Sequence, residues 1–360
     1  MKKKLLILST SQFGYLTDTL KYCEYAKDVC EITYVGWDYG KTQINVDGVS
    51  VKLISRGGNI VNRNLRLLMA FHMHIRMNYD VVFINYTRGI SLVRLFNFKR
   101  NMILHIRTLR VYKSPVNRFV YDSFLKTETL FFKSISVISE GVARKLRIKK
   151  YYLLPLGADT IFKPLERNSN IHLLYVGTLF NRDIIKCVKG FHRYIKKTGD
   201  SVAKFTIVGG YPEKEFSEIK KYIIDNGLED NVICVGTVPH SQLKEYLISA
   251  NIGVSFVPIT PYFEHQPVTK TFEYLLAGLC IIATETYENT KVLKDKSQAI
   301  LIADDELEFT KAIEKFRENG VFVKKEDLVD VEKYSWPSIV RNSFIPLING
   351  ELKISKYLRH

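Results

Sequence analysis

Cysteine is scarce in this chain and follows no pattern. Five are scattered through 360 residues, at Cys23, Cys30, Cys187, Cys234 and Cys280. The number is odd, and there is no C-x-x-C pair or Cys/His cluster. This argues against both a disulfide framework and a zinc site and predicts a reducing compartment, the cytoplasm. Long apolar runs are also missing: none approaches the roughly 18 residues of a membrane span. The opening MKKKLLILSTSQ has an apolar run of only four residues, Leu5–Leu8. It predicts a first β-strand rather than a signal peptide. No D-x-D pair is present, and no metal site is expected.

Acidic residues are missing from one segment only. Residues 51–150 hold 20 basic and 4 acidic side chains, an excess of 20 − 4 = +16. Residues 1–50 hold six of each sign and residues 151–360 hold 27 of each, so the whole net charge of +16 lies in that one segment. An anionic membrane surface, a phosphorylated substrate or nucleic acid would each explain it. Aromatic and apolar residues lie among the charges in SLVRLFNFKRN, where Arg94, Lys99 and Arg100 are expected to face an anionic surface. No RNA- or DNA-binding motif supports the nucleic-acid reading.

Alternating strands and helices without a repeat period predict a doubly wound α/β architecture. In the first half, strands are expected at 4–9, 31–36, 49–54, 80–85, 102–107 and 134–139, with helices between them. In the second, strands at 171–176, 203–208, 231–235, 252–256 and 279–283 alternate with helices near 185–197, 213–226, 241–249 and 267–277. At 360 residues, two domains are expected.

The stretch most charged with chemistry is Gln266–Thr284, QPVTKTFEYLLAGLCIIAT. Pro267 suits a first helical turn. Val268, Phe272, Leu275 and Leu276 form an apolar stripe. Gly278 suits a left-handed cap, and Leu279–Ala283 a buried strand. Lys270 and Glu273 fall one turn apart on the other face. They form either a surface ion pair, or an anion site at the helix N-terminus with a carboxylate for a ribose diol.

The wording P-x-x-K-x-x-E-Y-L-x-A-G-x-x-I-I-A-T resembles the donor-binding helix of the retaining glycosyltransferases of family 4. LPLGADTIFKP resembles that family's interdomain segment, with Gly157, Asp159, Phe162 and Pro164 matching and Leu156 replacing an asparagine. NVICVGTVPHSQLKEYL and the glycine of FTIVGG resemble two further stretches. The resemblance runs from about residue 153 to 284.

It implies a GT-B fold: two Rossmann-like, doubly wound parallel-sheet domains facing a cleft, with a C-terminal helix crossing back. The expected division is an acceptor-binding domain at 1–158 with 337–360, and a nucleotide-sugar-binding domain at 159–336. The activity implied is transfer of a sugar from a nucleoside-diphosphate-sugar of UDP or GDP type, with retention and without a metal or other cofactor. A saccharide or lipid-linked saccharide is the implied acceptor, in polysaccharide assembly at the inner membrane face.

Carried over residue by residue, Glu273 would hold the donor ribose, with Thr269 beside it. Arg182 and Lys270 would hold the diphosphate, with Lys186 as neighbour, although Thr178 replaces the family's first basic residue. Gly209 and Val238 would approach the nucleotide. Glu264 or His265 stands where a second glutamate is expected. On the acceptor side, Gly14 lies in the first loop, and His105 and Arg107 at a strand end would lie near the reacting sugar. A structural histidine and an ordinary βα turn are the plain alternatives for His105 and Gly14. The competing functions are a non-catalytic nucleotide-sugar-binding scaffold and another GT-B activity such as an epimerase.

Overall fold

The structure, a computed structural model, describes residues 2–109, 114–160, 170–239, 242–328 and 330–356. Phe162 and Pro164 of the interdomain motif lie outside the described residues. The chain divides into two compact units, Met1–Leu156 with Trp336–His360, and Gly157–Ser335.

The first unit runs β1 (Lys3–Leu8), α1 (Thr17–Ala26), β2 (Cys30–Asp38), β3 (Val49–Ser55), α2 (Ile60–Ile75), β4 (Val81–Asn85), α3 (Ile90–Phe96), β5 (Met102–Ile106), α4 (Pro115–Thr129), β6 (Ser134–Val137), α5 (Glu140–Leu146) and β7 (Lys150–Leu153). The second runs β8 (His172–Val176), α6 (Ile184–Thr198), β9 (Lys204–Val208), α7 (Glu213–Asp225), β10 (Val232–Gly236), α8 (Leu243–Ser249), β11 (Ile252–Ser255), α9 (Thr269–Leu276), β12 (Cys280–Thr284), α10 (Tyr287–Leu293), β13 (Ala299–Ile302) and α11 (Glu306–Asn319). A short β14 (Ser355–Lys356) follows the C-terminal helical run.

The continuous apolar runs become central strands, as a sheet covered on both faces requires. Every residue of β4, β5 and β12 is buried. Caps written into the sequence start several helices: the side chains of Asn59, Ser114 and Ser139 accept hydrogen bonds from Asn62 N, Asn117 N and Val142 N. α6 buries Cys187, Val188, Phe191 and Tyr194 along one stripe. Its Gly190 lets α11 approach closely, because a Cβ there would stand 2.6 Å from Glu306 O.

Strand order decides where ligands can sit. The first sheet is ordered β14-β7-β6-β5-β4-β1-β2-β3, and only β14 runs antiparallel to its neighbour β7. The second is ordered β10-β9-β8-β11-β12-β13, all parallel. In each sheet the chain starts inside, winds one way, then returns to wind the other. The loops therefore diverge between β1 and β4 in the first sheet and between β8 and β11 in the second. Open parallel sheets bind ligands at such a switch point, beyond the C-terminal strand ends.

The chain's last helical run belongs to the first unit. It comprises Trp336–Ile339, a wider turn at Val340–Phe344, and Ile345–Asn349. Phe344 stacks on Tyr22 with ring centroids 4.4 Å apart and meets the edge of Phe83 at 5.3 Å.

Several features differ from the expectation. β7, β13, β14 and α10 were not anticipated: the three strands are very short, and α10 mixes polar and apolar residues without a clear period. α9 begins at Thr269, so Pro267 precedes the helix rather than occupying its first turn. Val268 is extended, with φ −86° and ψ 111°, and serves as the N-cap. At the other end Gly278 has φ +65°, the left-handed cap expected of it.

Candidate active site

At the second switch point, β8 is followed by Gly177 and β9 by Gly209. A Cβ on Gly209 would stand 1.9 Å from Gly177 O, and its φ is +146°. Gly209 N also donates to Gly236 O at the end of β10, at 2.8 Å. The glycine thus lets backbone meet backbone across three strand ends. The following loops hold each other: Thr178 Oγ1 donates to Tyr211 O, and Phe180 N donates to Thr178 Oγ1. Thr178, where the family's first basic residue was expected, makes a turn. Val238 lies half-buried in the loop after β10.

Arg182 follows that turn. Its guanidinium lies 4.4 Å from the centroid of the Phe263 ring, which comes from the loop after β11. The two sides of the switch point therefore meet through a cation–π contact. Among the described residues Arg182 has no carboxylate partner. Burial pushes its guanidinium below the ordinary arginine value. A charge desolvated without a counterion is unfavourable, and an incoming oxyanion would relieve it. Lys186 differs: its Nζ donates to Asp304 O at 2.9 Å and lies 3.9 Å from carboxylates of Asp183 and Asp304.

α9 is fixed from below by a buried hydroxyl–amide network. Thr271 Oγ1 and Ser255 Oγ are 2.7 Å apart, and Thr271 donates to Asn289 Oδ1. Asn289 Nδ2 in turn donates to Thr284 O. Tyr274 reaches under β8, where its hydroxyl oxygen accepts from Val176 N at 3.0 Å. Gly253 makes that possible, since a Cβ there would lie 2.3 Å from the Tyr274 ring. Sequence reasoning missed this network; Thr271, Asn289 and Ser255 are spaced too far apart in the chain to announce it.

On the outer face of α9, Lys270 Nζ donates to both Glu273 carboxylate oxygens, at 2.7 and 2.6 Å. The ion pair is real and half-buried, with the Glu273 side chain 12% exposed. Thr269 opens the helix beside it. Glu264 instead accepts from Tyr287 N at 2.9 Å and so caps α10. His265 packs edge-on to Tyr287 at 5.5 Å.

In the first unit, Gly14 has φ +87° and packs against Ile44, which a Cβ would strike at 2.5 Å. Arg107 forms an ion pair with the buried Asp18. His105 has no exposed surface. Its Nδ1 lies 2.9 Å from Ser136 Oγ and its ring 5.2 Å from Phe83. Burial is the main cause that lowers its pKa from 6.5 to about 4, so the ring is neutral near pH 7. In this structure it is an interior group, because β5 is a central strand covered on both faces.

Arg94 corrects the expectation of a basic face made with Lys99 and Arg100. Arg94 is buried, and its guanidinium donates to the carbonyls of Phe131, Asn97 and Arg100. Lys99 is exposed, and Arg100 Nη2 donates to Arg76 O.

Comparison with known proteins accords with this geometry. Residues 170–319 match the model of the family described as glycosyl transferases group 1. No curated protein matches the chain significantly. Among solved structures, sucrose-phosphate synthase from Thermosynechococcus elongatus superposes with a TM-score of 0.73 at 15% identity, covering 94% of this chain and 97% of that one. Anabaena HepE in complex with UDP gives 0.74 at 12% identity, covering 97% and 100%. The apo lipopolysaccharide outer core galactosyltransferase WaaB gives 0.66 at 14% identity, covering 98% and 100%. Two Rossmann-like parallel-sheet units of this topology make a GT-B fold. The family match lies inside the second unit, Gly157–Ser335, and the likeness to the solved structures is one of fold.

Proposed function

We propose that the chain moves a sugar from a nucleoside-diphosphate-sugar to a saccharide or lipid-linked saccharide, with retention of configuration, in cell-surface polysaccharide assembly. The observation that carries the donor half is Arg182, a half-buried cation over Phe263 with no carboxylate partner among the described residues. As the glycosidic bond breaks, negative charge grows on the leaving diphosphate. Arg182, Lys270 and the free N–H groups opening α9 would stabilise it as fixed donors. Glu273 keeps a role beside Lys270, because a carboxylate has about four acceptor positions. Two serve Lys270, which leaves room for a ribose diol. The UDP in the HepE complex makes UDP-sugars the first donors to try.

The acceptor side would meet an anionic membrane at the inner face of the plasma membrane. Among the described residues no helix is long and apolar enough to cross a membrane, so any attachment by them would be at the surface. Val61, Leu65, Met69 and Met73 repeat every four residues along α2, and all are exposed. Phe96 of α3 and Phe119 of α4 are 78% and 74% exposed. α3 contacts both α2 and α4. Exposed apolar helix faces among unopposed basic residues suit a headgroup layer.

The test is transfer from labelled UDP- and GDP-sugars to membrane extracts, with and without EDTA. Product with retained anomeric configuration, formed in EDTA and lost in Arg182→Ala, is expected. Absence of nucleotide-sugar binding across the panel would sink the reading.

A further inference from the structure

The first sheet has a built pocket at its own switch point. A cavity of about 340 Å³ opens there, bounded by Thr10 after β1, Trp37 and Tyr39 at the end of β2, and Arg56 after β3. Arg63 of α2 and Arg88 after β4 complete the wall. We infer that this pocket binds the oxyanion of an acidic saccharide group, a phosphate or a carboxylate, with the sugar ring against its aromatic wall. That the group belongs to the sugar acceptor rests on the transferase reading; the binding itself does not.

Three observations carry it. First, the arginines are poised but uncompensated. The Arg56 guanidinium lies 4.3 Å from the Tyr39 ring centroid, and that of Arg88 lies 5.6 Å from Tyr121 and 5.5 Å from Phe124. Among the described residues none of Arg56, Arg63 and Arg88 pairs with a carboxylate. Planar guanidinium groups stacked on rings are held in place yet keep their forked donors for phosphate or carboxylate oxygens.

Second, the acid that holds the Arg88 loop is already occupied. Glu128 is buried and accepts from Tyr86 Oη at 2.8 Å, Gly89 N at 2.9 Å, Ser91 N at 3.2 Å and Ser91 Oγ at 2.9 Å. Those bonds fix the loop that presents Arg88, while Gly89 turns it with φ +88°. The carboxylate supports the loop without neutralising the arginine.

Third, the first turn of α2 has no acidic residue, and Arg63 sits one turn in from Asn59. A cation there opposes the helix dipole, so an anion bound beside it is favoured by both. The volume is at the small end of ligand pockets, roughly 300–1,000 Å³, which suits a single sugar carrying its anion.

The test is binding by the full chain with UDP present in excess, read by calorimetry and saturation-transfer NMR. The probes are glucose 1-phosphate, glucuronic acid and glucose. At least one acidic probe should bind at least tenfold more tightly than glucose, and which one it is identifies the oxyanion. Arg56→Gln, Arg63→Gln and Arg88→Gln should each weaken that probe at least fivefold while UDP affinity stays unchanged. Arg88→Gln is at the surface, so its near-UV circular dichroism should match the parent. Equal affinity for glucose, or unchanged anion binding in all three variants, overturns the proposal. A chain that binds an acidic sugar through these arginines yet transfers nothing keeps the pocket and loses the transferase reading. A working transferase with unaltered anion binding in the variants does the reverse.

Discussion

The two switch points are built alike and announce themselves differently. Each places arginine over an aromatic ring beyond the C-terminal strand ends: Arg182 over Phe263 in the second unit, Arg56 over Tyr39 and Arg88 near Tyr121 in the first. Each leaves those cations without a carboxylate among the described residues. Yet the family match, residues 170–319, lies within the second unit. A site for a common donor group needs fixed backbone geometry, such as glycines where strand ends touch and a helix of set wording. A site for a variable partner needs only cations, rings and space, which many sequences supply.

The comparison breaks most readily at Arg182. Arg182→Ala should lower kcat/KM by about 10²–10³, the usual loss for one fixed transition-state donor. UDP affinity should fall with it, while Arg88→Ala leaves UDP affinity unchanged. Equal effects of the two substitutions on UDP binding would mean that the units do not divide the labour. Arg182→Lys should remain impaired, since a point charge lacks the fork.

His105 marks the limit of the likeness, being an interior group, whereas the arginines of the first unit's pocket line open space. Its folded pKa of about 4 lies below the ordinary 6.5. Between those values the unfolded chain holds a proton that the folded chain does not. Stability is therefore fully present above pH 6.5 and falls as pH drops through the window toward 4. Urea unfolding should show the parent losing up to about 3 kcal/mol more than His105→Asn between pH 7 and pH 4.5, at about 1.4 kcal/mol per pH step. Parallel losses in both proteins would mean that His105 is protonated in place.

Much of this was legible beforehand, and the reasons differ by element. Buried central strands such as Val81–Asn85 and Met102–Ile106 are readable because a covered sheet demands continuous apolar runs. Gly278 was readable as a cap, whereas Gly209, placed at the donor site by resemblance alone, meets the Gly177 backbone. Phe263, the ring under Arg182, was not, because a stacking partner 81 residues away leaves no local signal. Arg94 misled for a related cause: charge shows in sequence, burial against carbonyls does not. Glu264 was read as donor-facing, and its bond to Tyr287 N belongs to a helix that the sequence did not reveal.

A smaller effect is expected at Glu273. Glu273→Gln should keep the fold, since the side chain lies on the outer face of α9, and should weaken UDP binding about tenfold. That corresponds to one charge-assisted hydrogen bond of about 1.5 kcal/mol. Equal affinity for UDP in parent and variant would reduce the pair with Lys270 to surface structure.

The smallest single-residue effects concern the exposed helix faces, and they ask whether the first unit's charge serves a surface as well as a pocket. All of the +16 excess lies at residues 51–150, but the pocket employs only Arg56, Arg63 and Arg88 of the 20 basic residues there. Arg94 is committed to backbone carbonyls, whereas Arg76, Lys99 and Lys126 are exposed. A basic side chain near an anionic bilayer contributes about 1 kcal/mol, and a phenylalanine partly inserted into the headgroup layer about as much. Vesicle co-sedimentation should therefore require anionic lipid and weaken as salt rises over the physiological range. Binding should drop roughly tenfold in Phe96→Ser with Phe119→Ser, and again in Arg76→Gln, Lys99→Gln and Lys126→Gln combined. The pocket variants Arg56→Gln and Arg88→Gln should leave vesicle binding nearly unchanged. If they abolish it while the phenylalanine pair does not matter, the pocket alone reads the membrane and the apolar faces have another use.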